Sequence, residues 1–156
     1  MQKFSMAVAK IEMFHQGDDL TLGASGTSFF YKSNEETFLL TNWYNVTGVN
    51  VITGKALHSK GLLPNMLRIH YKQFSDPDKT VVRSQCLDLP LYRGGELIWL
   101  EHSRHSAVDV VAIPLPLDQF ERFANQHINT IDQEMGLDVY AGMDCFILGF
   151  PAVLSG

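Results

Sequence analysis

Gly26-Thr27-Ser28-Phe29-Phe30-Tyr31-Lys32-Ser33-Asn34-Glu35-Glu36-Thr37-Phe38-Leu39-Leu40-Thr41 decides the fold class. A glycine leads into an aromatic run that suits a pleated surface. Four polar, turn-forming residues follow, and Thr37 to Thr41 alternates back. The segment from 27 to 41 therefore reads as a β-hairpin.

The same punctuation continues outward. Ala7 to Phe14 is apolar and partly alternating, and Gly17-Asp18-Asp19 is a turn. Asn42 to Thr47 has room for one helical turn before Gly48. Residues 48 to 65 carry Gly48, Gly54, Gly61 and Pro64, a loop signature. Met66 to Tyr71, Thr80 to Leu89, Glu96 to Glu101, Val108 to Leu115 and Met143 to Phe150 read as short strands. Asp118 to Asn125 reads as a helix, with Asp118 as cap and Phe120, Phe123 and Ala124 at helical spacing. Short strands with one late helix favour an antiparallel barrel or sandwich over a βαβ fold.

Composition narrows the class. The chain has 156 residues, about one domain by length. Its net charge of −5 argues against nucleic acid, which usually leaves a basic excess on its partner. No apolar run reaches the 18 or so residues of a membrane helix, so no membrane contact is expected. The stretch at the start is interrupted by Lys10 and Glu12 and lacks a leader pattern. Two cysteines, Cys86 and Cys145, are too few for a disulfide framework and read as buried, reduced thiols. A cytoplasmic location is the expectation. The sequon Asn45-Val46-Thr47 reads as chance.

Three segments in order resemble trypsin-like (chymotrypsin-fold) serine peptidases, and in particular a group of bacterial trypsin-like peptidase-domain proteins. Gly26-Thr27-Ser28-Phe29, returning to Leu39-Leu40-Thr41-Asn42-Trp43-Tyr44, resembles the family's G-T-x-F strand and its L-L-T-N-x-H segment. Val108-Asp109-Val110-Val111-Ala112-Ile113-Pro114-Leu115 resembles the strand that carries the catalytic aspartate. Asp144-Cys145-Phe146-Ile147-Leu148-Gly149-Phe150-Pro151 resembles the first strand of the second barrel. The resemblance implies an all-β chain: a first barrel over 1–117, then a helical connector and the start of an incomplete second barrel over 118–156.

The same resemblance implies the site. Asp109 stands at the acid position, and Tyr44 stands where the family has its histidine base. The G-x-S-G-x-P segment of the nucleophile is missing from the chain, and Ser155 follows the second-barrel strand too soon to replace it. Independently of family, a lone carboxylate inside an apolar run needs a partner. Asp109 either orients a base or caps backbone amides. A phenol ionises near pH 10 and is a poor proton acceptor at neutrality, so a Tyr44–Asp109 hydrogen bond filling the old site is expected.

Other constellations are weaker. His102 and His105 form an i, i+3 pair in EHSRHSAVD, but no third ligand stands at motif spacing. His15, His58, His70 and His127 are isolated. Gly23 and Gly26 lack the lysine and helix of a phosphate loop. No cofactor and no metal are expected. Two functions stay open: a peptidase unit inactive as written, or a non-catalytic module that binds a protein or peptide. Because Met143 to Phe150 would lack a barrel of its own, a homodimer or a chain completing the second barrel is expected.

Overall fold

The computed structural model describes residues 2–17, 21–120, 122–131 and 149–150. It is mainly antiparallel β. A short helix α1 (Gln2–Ala7) leads into β1 (Val8–His15), β2 (Thr21–Ser33) and β3 (Glu36–Thr41). A one-turn helix α2 (Trp43–Thr47) follows. Then come β4 (Met66–Phe74), β5 (Val82–Pro90), β6 (Tyr92–Arg93), β7 (Glu96–Leu97), β8 (Leu100–Glu101) and β9 (Val111–Pro114). Seven strands form one sheet in the order β5-β4-β1-β2-β3-β9-β8, and β6 and β7 form a separate hairpin.

The expected hairpin is present, with Phe30 opposite Leu39 and Phe29 opposite Leu40. The period of two sorts the faces. Ala9, Ile11, Ser28, Phe30, Leu39, Ile69, Val111 and Ile113 point inward and are buried. Phe29, Tyr31, Phe38 and Leu40 point outward. A bulge between Met13 and Phe14 breaks the alternation of β1, so both of these neighbours are buried.

The sheet is curled. A flat sheet would separate its outer strands by six spacings, about 29 Å. Here the Ile98 amide donates to the carbonyl of Leu91, the residue after β5, at 3.1 Å. Two residues later Leu100 of β8 pairs with Ala112 of β9. The two ends of the strand order therefore meet at this corner, and buried Trp99 fills it. No ladder joins β5 to β8 among the described residues.

Three expectations are corrected. No described residue of 118–125 is α-helical: Leu117–Gln119 is a single 3-10 turn, and Phe123 pairs with Gln73 of β4. The spacing of Phe120 and Phe123 serves core packing instead. Both rings meet Tyr71, at centroid distances of 4.8 and 6.3 Å, and Phe123 also meets Phe30 edge-on at 4.9 Å. Backbone bonds from Phe74 to Arg122 and from Ala124 to Lys72 hold the segment on β4. Glu96 to Glu101 is not one strand. Gly94 and Gly95, both at positive φ, turn β6 into β7, and Leu100–Glu101 pairs separately. Cys86 is exposed, because it lies on the outward face of β5, an end strand of the sheet. Residues 143–148 of the last expected strand lie outside the described residues, and Gly149 and Phe150 are not in a strand.

Candidate functional site

Tyr44 and Asp109 are brought together by the β3–β9 pairing, in which Thr41 lies opposite Val111. The chain leaves β3 at Asn42, an extended residue, and turns at once into α2. It enters β9 immediately after Asp109 and Val110. The two ladder ends thus deliver both segments to one rim of the sheet.

The link runs through the backbone. The Tyr44 amide donates to Asp109 Oδ1 at 3.3 Å. Asn42 Nδ2 donates to Asp109 Oδ2 at 2.9 Å and to the Asp109 carbonyl at 3.3 Å. Asn42 occupies the N-cap position of α2 but makes no cap bond itself. Asp109 supplies that acceptor from across the fold, satisfying one of the amides a helix start leaves open. The expected phenol contact is therefore replaced by an amide contact.

The turn is anchored below. Asn45 is 3% exposed and donates from Nδ2 to Thr41 Oγ1 at 2.9 Å, and the Thr41 hydroxyl donates to the Thr27 carbonyl at 2.9 Å. A Cβ on Gly26 would stand 2.8 Å from Asn45 Nδ2, so this position needs glycine. The buried Asn45 amide is committed to this network, which agrees with reading its sequon as chance. Thr27 also carries the chain's later part: the Phe150 amide donates to Thr27 Oγ1 at 2.7 Å, and the hydroxyl donates to the Phe150 carbonyl at 3.0 Å.

A second carboxylate stands beside the first. Glu101 Oε1 accepts from the indole N–H groups of Trp43 at 3.0 Å and Trp99 at 2.9 Å. Glu101 Oε2 lies 3.1 Å from His105 Nδ1. Burial pushes the Glu101 carboxyl up, but bonds from Trp99, His105 and Trp43 outweigh it, and its pKa falls below the ordinary 4.5. Sequence reading passed over Glu101. The available signal was ELIWLE itself: an indole inside an apolar run needs an acceptor, and Glu101 stands two residues from Trp99.

The remaining candidates are dispersed. His102 accepts from the Arg104 amide, and His105 lies at φ 47 in an exposed turn. His70 points outward as expected, its Nε2 2.6 Å from Glu12 Oε2. His127 meets the Thr37 hydroxyl at 2.8 Å, and burial and Lys32 push its pKa down. Among the described residues no group of three or more His, Cys, Asp or Glu side chains is placed to hold a metal. Cys145 and Ser155 lie outside the described residues. No family model, no curated protein and no solved structure matches the chain.

Proposed function

We propose that this chain is a unit of the trypsin-like serine peptidase type whose hydrolytic chemistry is switched off at position 44. The observation that carries the reading is the bond between the Tyr44 amide and Asp109 at 3.3 Å. Acyl transfer by this type of site needs a hydroxyl nucleophile, a base that takes its proton, and a carboxylate that orients the base. Asp109 stands ready as the carboxylate. Its neighbour carries a phenol, which does not accept a proton near neutrality.

The test is to put an imidazole at that position. In Tyr44→His, NMR titration is expected to give the introduced imidazole a pKa above the ordinary 6.5, because the Asp109 charge favours imidazolium. The shift is expected to vanish in Tyr44→His/Asp109→Asn. An imidazole that titrates the same with and without Asp109 overturns the reading. The natural chain is expected to show no labelling by a serine-directed fluorophosphonate, and stoichiometric labelling overturns the inactivity.

A second reading, a non-catalytic module that binds a protein, is favoured by one feature. The outward face of β2 and β8 exposes Phe29, Tyr31 and Leu100, and Val110 before β9 is exposed as well. Exposed apolar patches of this kind mark interaction surfaces. Sedimentation of the chain beside Phe29→Asp tests it for a second copy as the partner: association that Phe29→Asp abolishes supports it, and a monomer in both samples removes the homodimer.

A further inference from the structure

The loop between α2 and β4, residues 48–65, plays no part in the site. Its base is closed. Gly48 takes φ +67, and a Cβ there would lie 2.4 Å from Pro64 Cδ. The Leu57 amide donates to the Gly48 carbonyl at 2.7 Å, and Val49 bridges Ala56. The apex is built as well. Asn50 exchanges backbone bonds with Lys55 and Gly54, both at 2.9 Å. The Asn50 side chain accepts from the amides of Ile52 at 2.9 Å and Thr53 at 3.0 Å.

This ordered apex turns Ile52 into water, and the loop exposes other apolar groups more partially. Ile52 is 90% exposed, and Val51, Leu57 and Leu63 are exposed too. None of the four belongs to the hydrophobic core cluster, and Ile52 is left almost wholly in water, although apolar burial is the main force available to a folding chain. The charge pattern is equally one-sided. Residues 37–75 contain no Asp or Glu, while the loop carries Lys55 and Lys60, in a chain of net charge −5.

We propose that this loop docks the chain on an anionic lipid surface. Val51 and Ile52 enter the boundary between headgroups and acyl chains, and Lys55 and Lys60 meet the anionic headgroups. An exposed apolar tip in a loop that also carries two exposed lysines fits a bilayer, which yields around it. The acidic remainder of the chain turns the basic loop toward the negative surface. The expectation of no membrane contact rested on the lack of a spanning run. That criterion also finds no spanning helix among the described residues, and it concerns crossing rather than surface contact. The proposal does not depend on the peptidase reading.

Co-sedimentation of the whole chain with vesicles tests it. Binding to phosphatidylcholine–phosphatidylserine vesicles is expected to exceed binding to pure phosphatidylcholine by about tenfold or more, and to weaken with salt. Ile52→Ser is expected to weaken binding to anionic vesicles by about tenfold. The double change Lys55→Gln/Lys60→Gln is expected to remove the preference for anionic lipid. All three positions are exposed, so an unchanged thermal midpoint confirms the fold of each variant. No association at millimolar lipid, or equal binding by Ile52→Ser and the natural chain, overturns the proposal. So does lysine-dependent binding to polyglutamate without binding to vesicles, which would make the loop a protein contact.

Discussion

The Asp109 carboxylate accepts a hydrogen bond from the backbone amide of Tyr44 at 3.3 Å, across 65 residues of chain. With the Asn42 amide on its other oxygen, Asp109 fastens the start of α2 to the entry of β9. Asp109→Ala removes the carboxylate that accepts from both donors and leaves Asn42 only its 3.3 Å bond to the backbone carbonyl of residue 109. It is expected to cost about 1–3 kcal/mol, the range for leaving a part-buried polar group unsatisfied. Denaturant unfolding at unchanged m-value reads the loss, and a midpoint equal to that of the natural chain contradicts this account.

Two glycines at positive φ separate conformational strain from crowding. Gly54 has φ +66 with open space where a Cβ would point, whereas Gly48 has φ +67 with Pro64 Cδ 2.4 Å away. Gly54→Ala is expected to cost about 1 kcal/mol from the left-handed conformation alone. Gly48→Ala adds overpacking and is expected to cost about 1–3 kcal/mol more. Equal thermal shifts in the two variants would show that the loop base opens freely.

Acid is expected to destabilise the chain in two stages. His127 has its pKa lowered by burial and by Lys32. The unfolded chain therefore takes up this proton first, and stability starts to fall as pH drops below about 6.5. Glu12 is lowered chiefly by its bond to His70, and Glu101 is lowered on balance by its indole and imidazole partners against the opposing effect of burial. Depressed carboxyl groups give stability that is present above their ordinary value of 4.5 and is lost as pH falls below it. Unfolding midpoints measured down to acid pH are expected to fall in this order, with a shallower acid limb in Glu101→Gln. A midpoint that rises on acidification reverses the sign and overturns the assignment.

Cys86 is expected to react in the folded state. Its thiol lies on the outward face of β5 and is exposed. Brief iodoacetamide treatment of the native chain, followed by peptide mapping, is expected to modify Cys86 without added denaturant. A Cys86 that reacts only after unfolding would place it under cover.

The β character was legible in the sequence because it is local. Alternation from Gly26 to Thr41 sets the faces of β2 and β3, and Gly48 ends α2, as the residue types require. Asp109 was legible as a carboxylate in need of a partner. Other features were not, because they depend on neighbours distant in sequence. Phe120 and Phe123 stand at helical spacing, yet aromatic contacts with Tyr71 and Phe30 and backbone bonds to β4 outweigh that preference. Cys86 sits in an ordinary strand pattern, and only the strand order makes β5 an end strand with an exposed face.

The sequence by itself determined a chain of short antiparallel strands and a turn at Asn42 to Gly48, and it left Asp109 as a carboxylate in need of a partner; only the family resemblance coupled Asp109 to Tyr44. The tertiary structure decided which atoms meet. Asp109 takes the Tyr44 amide rather than the phenol, and Glu101 gathers Trp43, Trp99 and His105 beside it. Periodicity reports which face of an element is buried, because that depends on residues a few positions apart. The donor that satisfies a part-buried carboxylate depends on how the β3–β9 ladder aligns two segments 65 residues apart, and that alignment exists only once these two strands have paired.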